Sequence, residues 1–147
     1  MKYLVKTPWW LKKLYPNYIW EIPGNEKILY LTFDDGPHET ITSFVLDALR
    51  KYNAKATFFC IGKNVVANPA VFRQIIDEGH AVGNHTFNHV NGWKASNKKY
   101  IDEVFEAAKY IDSNLFRPPY GRISRFQAKV LMQESKRQNI TGRQFNI

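Results

Sequence analysis

The chain has 147 residues, 44% hydrophobic and 23% charged, the make-up of one globular domain. Its net charge of +8 is spread out, with short clusters at Lys12-Lys13, Lys98-Lys99 and Lys136-Arg137; this predicts peripheral attraction to anionic surfaces but gives no ground for a specific nucleic-acid partner. No apolar run approaches the ~20 residues that span a bilayer, and Lys6, Thr7 and Pro8 break the N-terminal stretch too early for a secretory leader, so the expected compartment is the cytoplasm.

Residues 1–26 form an aromatic and basic lead-in, in which Trp9, Trp10 and Trp20 are expected to pack against the base of the domain or onto a partner. Residues 27–33 (KILYLTF) predict a buried strand, and residues 40–52 a helix with Ile41, Phe44, Val45, Ala48 and Leu49 on one face. Residues 55–61 (KATFFCI) predict a second strand; it holds the single cysteine, Cys60, which reads as a packing residue because nothing in its apolar run would activate a thiolate. Asn68 and Pro69 have the chemistry of a helix start, and Gly79 that of a helix end. A short third strand follows near 80–84, then a helix over 97–112, a fourth strand from Leu115-Phe116 and a last helix over 124–134. Four repeats of strand and helix imply an α/β fold with a parallel sheet or barrel. Residues 135–147 are polar and weakly periodic, and are expected to be a tail.

Three segments at strand ends carry groups suited to chemistry, and α/β folds place their sites there. In Thr32-Phe33-Asp34-Asp35-Gly36-Pro37, adjacent carboxylates point in different directions, so one can ligate a metal while the other acts as a base. Gly36 is expected to supply an unusual backbone angle, and the plain alternative is an Asp-Asp-Gly turn. In His85-Thr86-Phe87-Asn88-His89 the histidines can share one ion, or be unrelated surface residues. In Arg117-Pro118-Pro119-Tyr120-Gly121 the arginine can pair with a carboxylate, or simply sit in a proline-rich loop. Trp93 reads either as a stacking platform for a sugar ring or as a partly buried aromatic, and His38 and His80 as structural or supporting residues.

In their order and spacing these segments resemble the first three motifs of the polysaccharide deacetylase family, and Lys55-Ala56-Thr57-Phe58-Phe59 and Gly79-His80-Ala81-Val82-Gly83-Asn84 resemble its connecting phrases. The resemblance covers Ile28 to Gln127, within a domain set at 27–134. It implies a distorted (β/α) barrel, present here as about four βα units, and a metal-dependent hydrolase that removes acetyl groups from N- or O-acetylated polysaccharide such as chitin oligomers or peptidoglycan. By the same resemblance Asp35, His85 and His89 would hold a divalent metal, zinc first and cobalt or nickel as alternatives. Asp34 would take a proton from the attacking water, Arg117 would hold Asp34, Thr86 would brace the histidine loop, and the Tyr120 N–H would stabilise the oxyanion. The family's later motifs, an Asp-Trp segment and a Leu-x-His, have no counterpart, and no histidine follows His89. The expectation is therefore a C-terminally truncated domain whose unclosed barrel edge promotes self-association, with a metal-retaining, glycan-binding pseudoenzyme as the alternative to an active hydrolase.

Overall fold

The computed structural model describes residues 8–14, 18–20, 27–137 and 144–146. The elements in chain order are α1 (Trp9–Leu14), β1 (Tyr18–Ile19), β2 (Leu31–Asp34), α2 (Glu39–Lys51), β3 (Ala56–Cys60), α3 (Gly62–Ala67), α4 (Pro69–Asp77), β4 (Ala81–Asn84), α5 (Asn97–Ala108), β5 (Leu115–Phe116), α6 (Arg125–Arg137) and β6 (Gln144–Asn146), with a 3-10 turn over Pro119–Gly121. The strands form one parallel sheet in the order β1-β6-β5-β4-β3-β2. The four expected βα units occupy consecutive places in it, and β2 lies at one edge. The expected tail and lead-in each contribute a short strand, β6 and β1, beyond β5.

The first strand departs from its sequence-based outline. Residues 27–30 precede β2 and are exposed, Leu29 by 88%. An apolar run predicts burial only when both faces and both edges are covered, and among the described residues β2 has β3 as its sole neighbour. Its interior neighbour β3 is the buried one: Phe58, Phe59 and Cys60 are at most 3% exposed. Phe58 joins Leu46, Leu49, Val65, Ile75 and Ala107 in the core under the helices. Phe59 faces the other way, into space left by the missing side chain of Gly83, where a Cβ would lie 2.5 Å from its ring. A second core unites Tyr18, Tyr100, Val104, Phe116, Ala128 and Leu131, so α5 is packed into both. Trp20 packs against Tyr18 and this second core, whereas Trp9 and Trp10 are exposed. Cys60 is fully buried, and burial pushes its thiol pKa up to about 12, in keeping with a packing role.

Local chemistry explains the element ends. α4 begins with Pro69 after Asn68 in the cap position, but the Asn68 amide donates to the carbonyls of Asn64 and Pro37 instead of capping, which ties α3, α4 and the loop after β2 together. Gly79 ends α4 with φ of 75°, a left-handed angle that glycine adopts without penalty. His38 caps α2, its Nδ1 accepting from Thr40 N–H at 3.3 Å. No helix among the described residues is long and apolar enough to cross a membrane.

Candidate metal site

The C-terminal ends of β2, β4 and β5 bring five of the sequence-predicted side chains together. Asp34 is the last residue of β2, and Asp35, directly after it, has φ of 69°. The left-handed turn therefore falls on Asp35 and not on Gly36, the residue expected to supply it. This turn separates the two carboxylates. Asp35 Oδ1 lies 3.4 Å from His85 Nε2 and 3.1 Å from His89 Nε2. Asp34 Oδ1 instead accepts from Arg117 Nη1 at 2.7 Å.

The histidine loop is built with equal economy. His85 N–H donates to the Cys60 carbonyl, extending the β3–β4 ladder to the first histidine of the cluster. Thr86 and His89 take φ of 64° and 56°, which folds the loop back so that both rings face Asp35, their centroids 5.1 Å apart. The fully buried Thr86 braces it: its hydroxyl accepts from Val90 N–H at 3.2 Å, and its own N–H donates to Asn84 Oδ1 at 2.8 Å. Asn84 in turn donates to the Val104 carbonyl of α5.

The group behind His85 decides which of its nitrogens is available. Nδ1 lies 2.7 Å from the Arg117 carbonyl oxygen, which only accepts, so Nδ1 carries the hydrogen and Nε2 presents a lone pair toward Asp35. His85 is 3% exposed, and burial lowers its pKa, partly offset by that hydrogen bond and by Asp34 and Asp35; the neutral, ligating form is favoured. Asp35 Oδ1 with the two Nε2 atoms forms a cluster of mutually close donors, the one such group of three among the described residues. Two imidazoles and one carboxylate fit a divalent ion with positions left for water and substrate.

Arg117 serves both halves of the site. Its carbonyl orients His85, and its guanidinium bonds Asp34 and, at 3.0 Å, Thr32 Oγ1, while resting 4.0 Å from the centroid of the Phe59 ring. Tyr120 stands in the turn after β5 with φ of 60°, its ring centroid 4.6 Å from that of His89. His38 and His80 lie outside the cluster. Trp93 is 68% exposed, with its indole N–H turned to the Ile123 carbonyl. Sequence reasoning gave no role to Asn84, Asn64, whose amide donates to the Asp35 carbonyl at 2.8 Å, or Glu103, which binds Asn88 in the histidine loop. The one available signal was an asparagine, Asn84, ending an apolar strand beside a histidine.

Fold and site define a parallel α/β domain with a two-histidine, one-carboxylate centre and a separate, arginine-held carboxylate at the strand ends. The sequence model of the polysaccharide deacetylase family matches residues 21–138, and the chain belongs to that family. It is 46% identical over 110 residues to a peptidoglycan-N-acetylglucosamine deacetylase of Bacillus cereus, covering 71% of this chain and 52% of that protein. It is 38% identical to a chitooligosaccharide deacetylase of Azorhizobium caulinodans, covering 68% of this chain and 51% of that one. A crystal structure of a peptidoglycan N-acetylglucosamine deacetylase in complex with a naphthalenyl N-oxidanyl-benzamide superposes with a TM-score of 0.82 at 31% identity, over 95% of this chain and 65% of the other. The chain thus spans about half the length of these curated relatives.

Proposed function

We propose that this domain takes part in removing acetyl groups from N-acetylglucosamine units of a polysaccharide, with a divalent ion held by Asp35, His85 and His89. The observation that carries the reading is the division of labour between neighbouring carboxylates: Asp35 turns to the histidines while Asp34 is held by Arg117. Zinc suits the nitrogen and oxygen donors best, with cobalt or nickel as substitutes. When bound, the ion would polarise the acetyl carbonyl and lower the pKa of water towards ~7.

The chain's own groups would do the rest. The ion pair with Arg117 would hold Asp34 in place to accept a proton from the attacking water; a positioned base contributes about 10²–10⁴ in rate. The Tyr120 N–H, set in a left-handed turn beside His89, would donate to the developing oxyanion. Thr86 and Asn84 keep the histidine loop from relaxing. The relatives' names, peptidoglycan and chitooligosaccharide deacetylases, share N-acetylglucosamine as the common unit, and they favour turnover over a glycan-binding pseudoenzyme. The β2 edge, unpaired among the described residues and preceded by the exposed Ile28, Leu29 and Tyr30, and the exposed Ile41 and Phe44 of α2 support self-association of the chain.

Asp34→Asn and Asp35→Ala test the assignment together. Asp34→Asn is expected to retain stoichiometric zinc and lose acetate release from N-acetylglucosamine tetramer; Asp35→Ala is expected to lose the metal. Equal loss of metal in both variants would overturn the separate roles.

A further inference from the structure

Trp93 has no part in the proposed chemistry, although its position is tightly built. Its indole N–H donates to the Ile123 carbonyl at 3.3 Å, and its backbone N–H to Asn91 Oδ1 at 3.0 Å. Next to it, Gly92 N–H donates to the Arg122 carbonyl at 3.2 Å, and the Gly92 carbonyl accepts from the buried Gln127 amide at 2.9 Å. A Cβ at Gly92 would lie 2.4 Å from the Arg122 oxygen, so the close approach of these segments requires glycine there. Segment 91–93 is therefore stitched to segment 122–127, and an exposed indole is fixed in place.

Arg122 completes the feature. Its guanidinium carbon lies 5.3 Å from the Trp93 ring centroid, and it forms no ion pair among the described residues. An indole that remains 68% exposed with a guanidinium on one side keeps its other side open to solvent. Both residues are close in the chain to the candidate centre. Trp93 follows His89 by way of residues 90–92, and Arg122 follows Tyr120, whose ring packs on His89, by way of Gly121.

Because the indole N–H is already used, the ring offers a flat apolar face and nothing else. A pyranose ring presents a matching apolar face of C–H groups, and covering both removes apolar area from water. A guanidinium without an acidic partner offers planar paired donors that match a carboxylate. We propose that Trp93 and Arg122 form a glycan subsite beside the metal site that takes a sugar unit bearing a carboxylate, the indole stacking on the ring and Arg122 pairing with the acid. The inference rests on the deacetylase reading and narrows its substrate class to acidic acetylated amino-sugar strands.

Binding without turnover tests it, measured by calorimetry on the full chain carrying Asp34→Asn. The probes are an N-acetylglucosamine tetramer and an equally long strand alternating N-acetylglucosamine with its 3-O-lactyl ether. Trp93→Ala is expected to weaken both by roughly tenfold, and Trp93→Phe, which keeps a ring, by less. Arg122→Gln is expected to weaken only the lactyl strand, by about threefold to fivefold, and to remove the salt sensitivity of its binding. An Arg122→Gln form that binds both strands as before, or weakens both equally, overturns the proposal, as does full affinity in a cooperatively melting Trp93→Ala form. Should Trp93→Ala not fold, Arg122→Gln decides alone. Strand-selective binding with no acetate release from the unsubstituted chain would sink the deacetylase reading and leave the subsite standing; release with no effect of Arg122→Gln would do the reverse.

Discussion

Two histidines frame β4, His80 before its first residue and His85 after its last, and both are buried, at 8% and 3% exposure. In His80, Nδ1 accepts from Ala56 N–H at 3.4 Å, so the hydrogen sits on Nε2, which has no hydrogen-bond partner among the described residues and lies 4.0 Å from Glu78 Oε2. In His85 the tautomer is reversed, because a carbonyl stands behind Nδ1 and frees Nε2 to face Asp35. Burial lowers the pKa of both. Burial and a depressed pKa do not by themselves suit a histidine to a metal. The acceptor behind the ring does, because it decides which nitrogen keeps its lone pair.

The largest expected effect is on metal affinity. His85→Ala should abolish stoichiometric divalent metal, read by elemental analysis after gel filtration, whereas His80→Ala should retain it; loss in both would erase the contrast. Next comes the arginine between the two halves. Arg117→Met keeps the backbone carbonyl that orients His85 and removes the pairing with Asp34, so zinc should stay bound while acetate release drops by about 10²-fold or more. Loss of zinc in that variant would show that the side chain, not the carbonyl, holds the metal half in place.

A smaller effect belongs to stability. His80→Ala leaves the buried Ala56 N–H without its acceptor and should cost about 1–3 kcal/mol in denaturant unfolding, with zinc affinity unchanged. The smallest is its pH dependence. The pKa of folded His80 is depressed from 6.5, chiefly by burial and then by Lys55, with Glu78 opposing. The unfolded chain therefore binds the proton more readily, and the contribution of His80 is fully present above pH 6.5 and lost as pH falls below it. Subtracting the profile of His80→Ala, both recorded in chelator, should isolate that fall; a difference profile flat from neutrality to pH 5 would contradict the direction of the shift.

The sequence displayed strands β2 to β5, helices α2, α4, α5 and α6, and the cluster of Asp35, His85 and His89, because apolar periodicity and residue spacing are local signals. What it hid depends on tertiary contact. α3, six residues long, is too short to show a period. β6 is polar and exists as a strand by pairing with β5 and β1. The left-handed angle fell on Asp35 and not on the neighbouring glycine because a turn there is what separates the carboxylates, and aspartate tolerates that angle well enough. Asn84 looked like the end of a strand, yet it holds the histidine loop to α5, a partner that lies 20 residues away in sequence.

The double use of Arg117 works as a shared datum works in machining. Parts located from one reference keep their mutual spacing even when the frame around them shifts, whereas parts located from separate references accumulate error. Here the ring of His85 is located from the Arg117 carbonyl and the carboxylate of Asp34 from the guanidinium of the same residue. Drift of the loop at Pro118 and Pro119 therefore shifts the His85 ring and the Asp34 carboxylate in step, so the interval between them tolerates more motion than either position does alone.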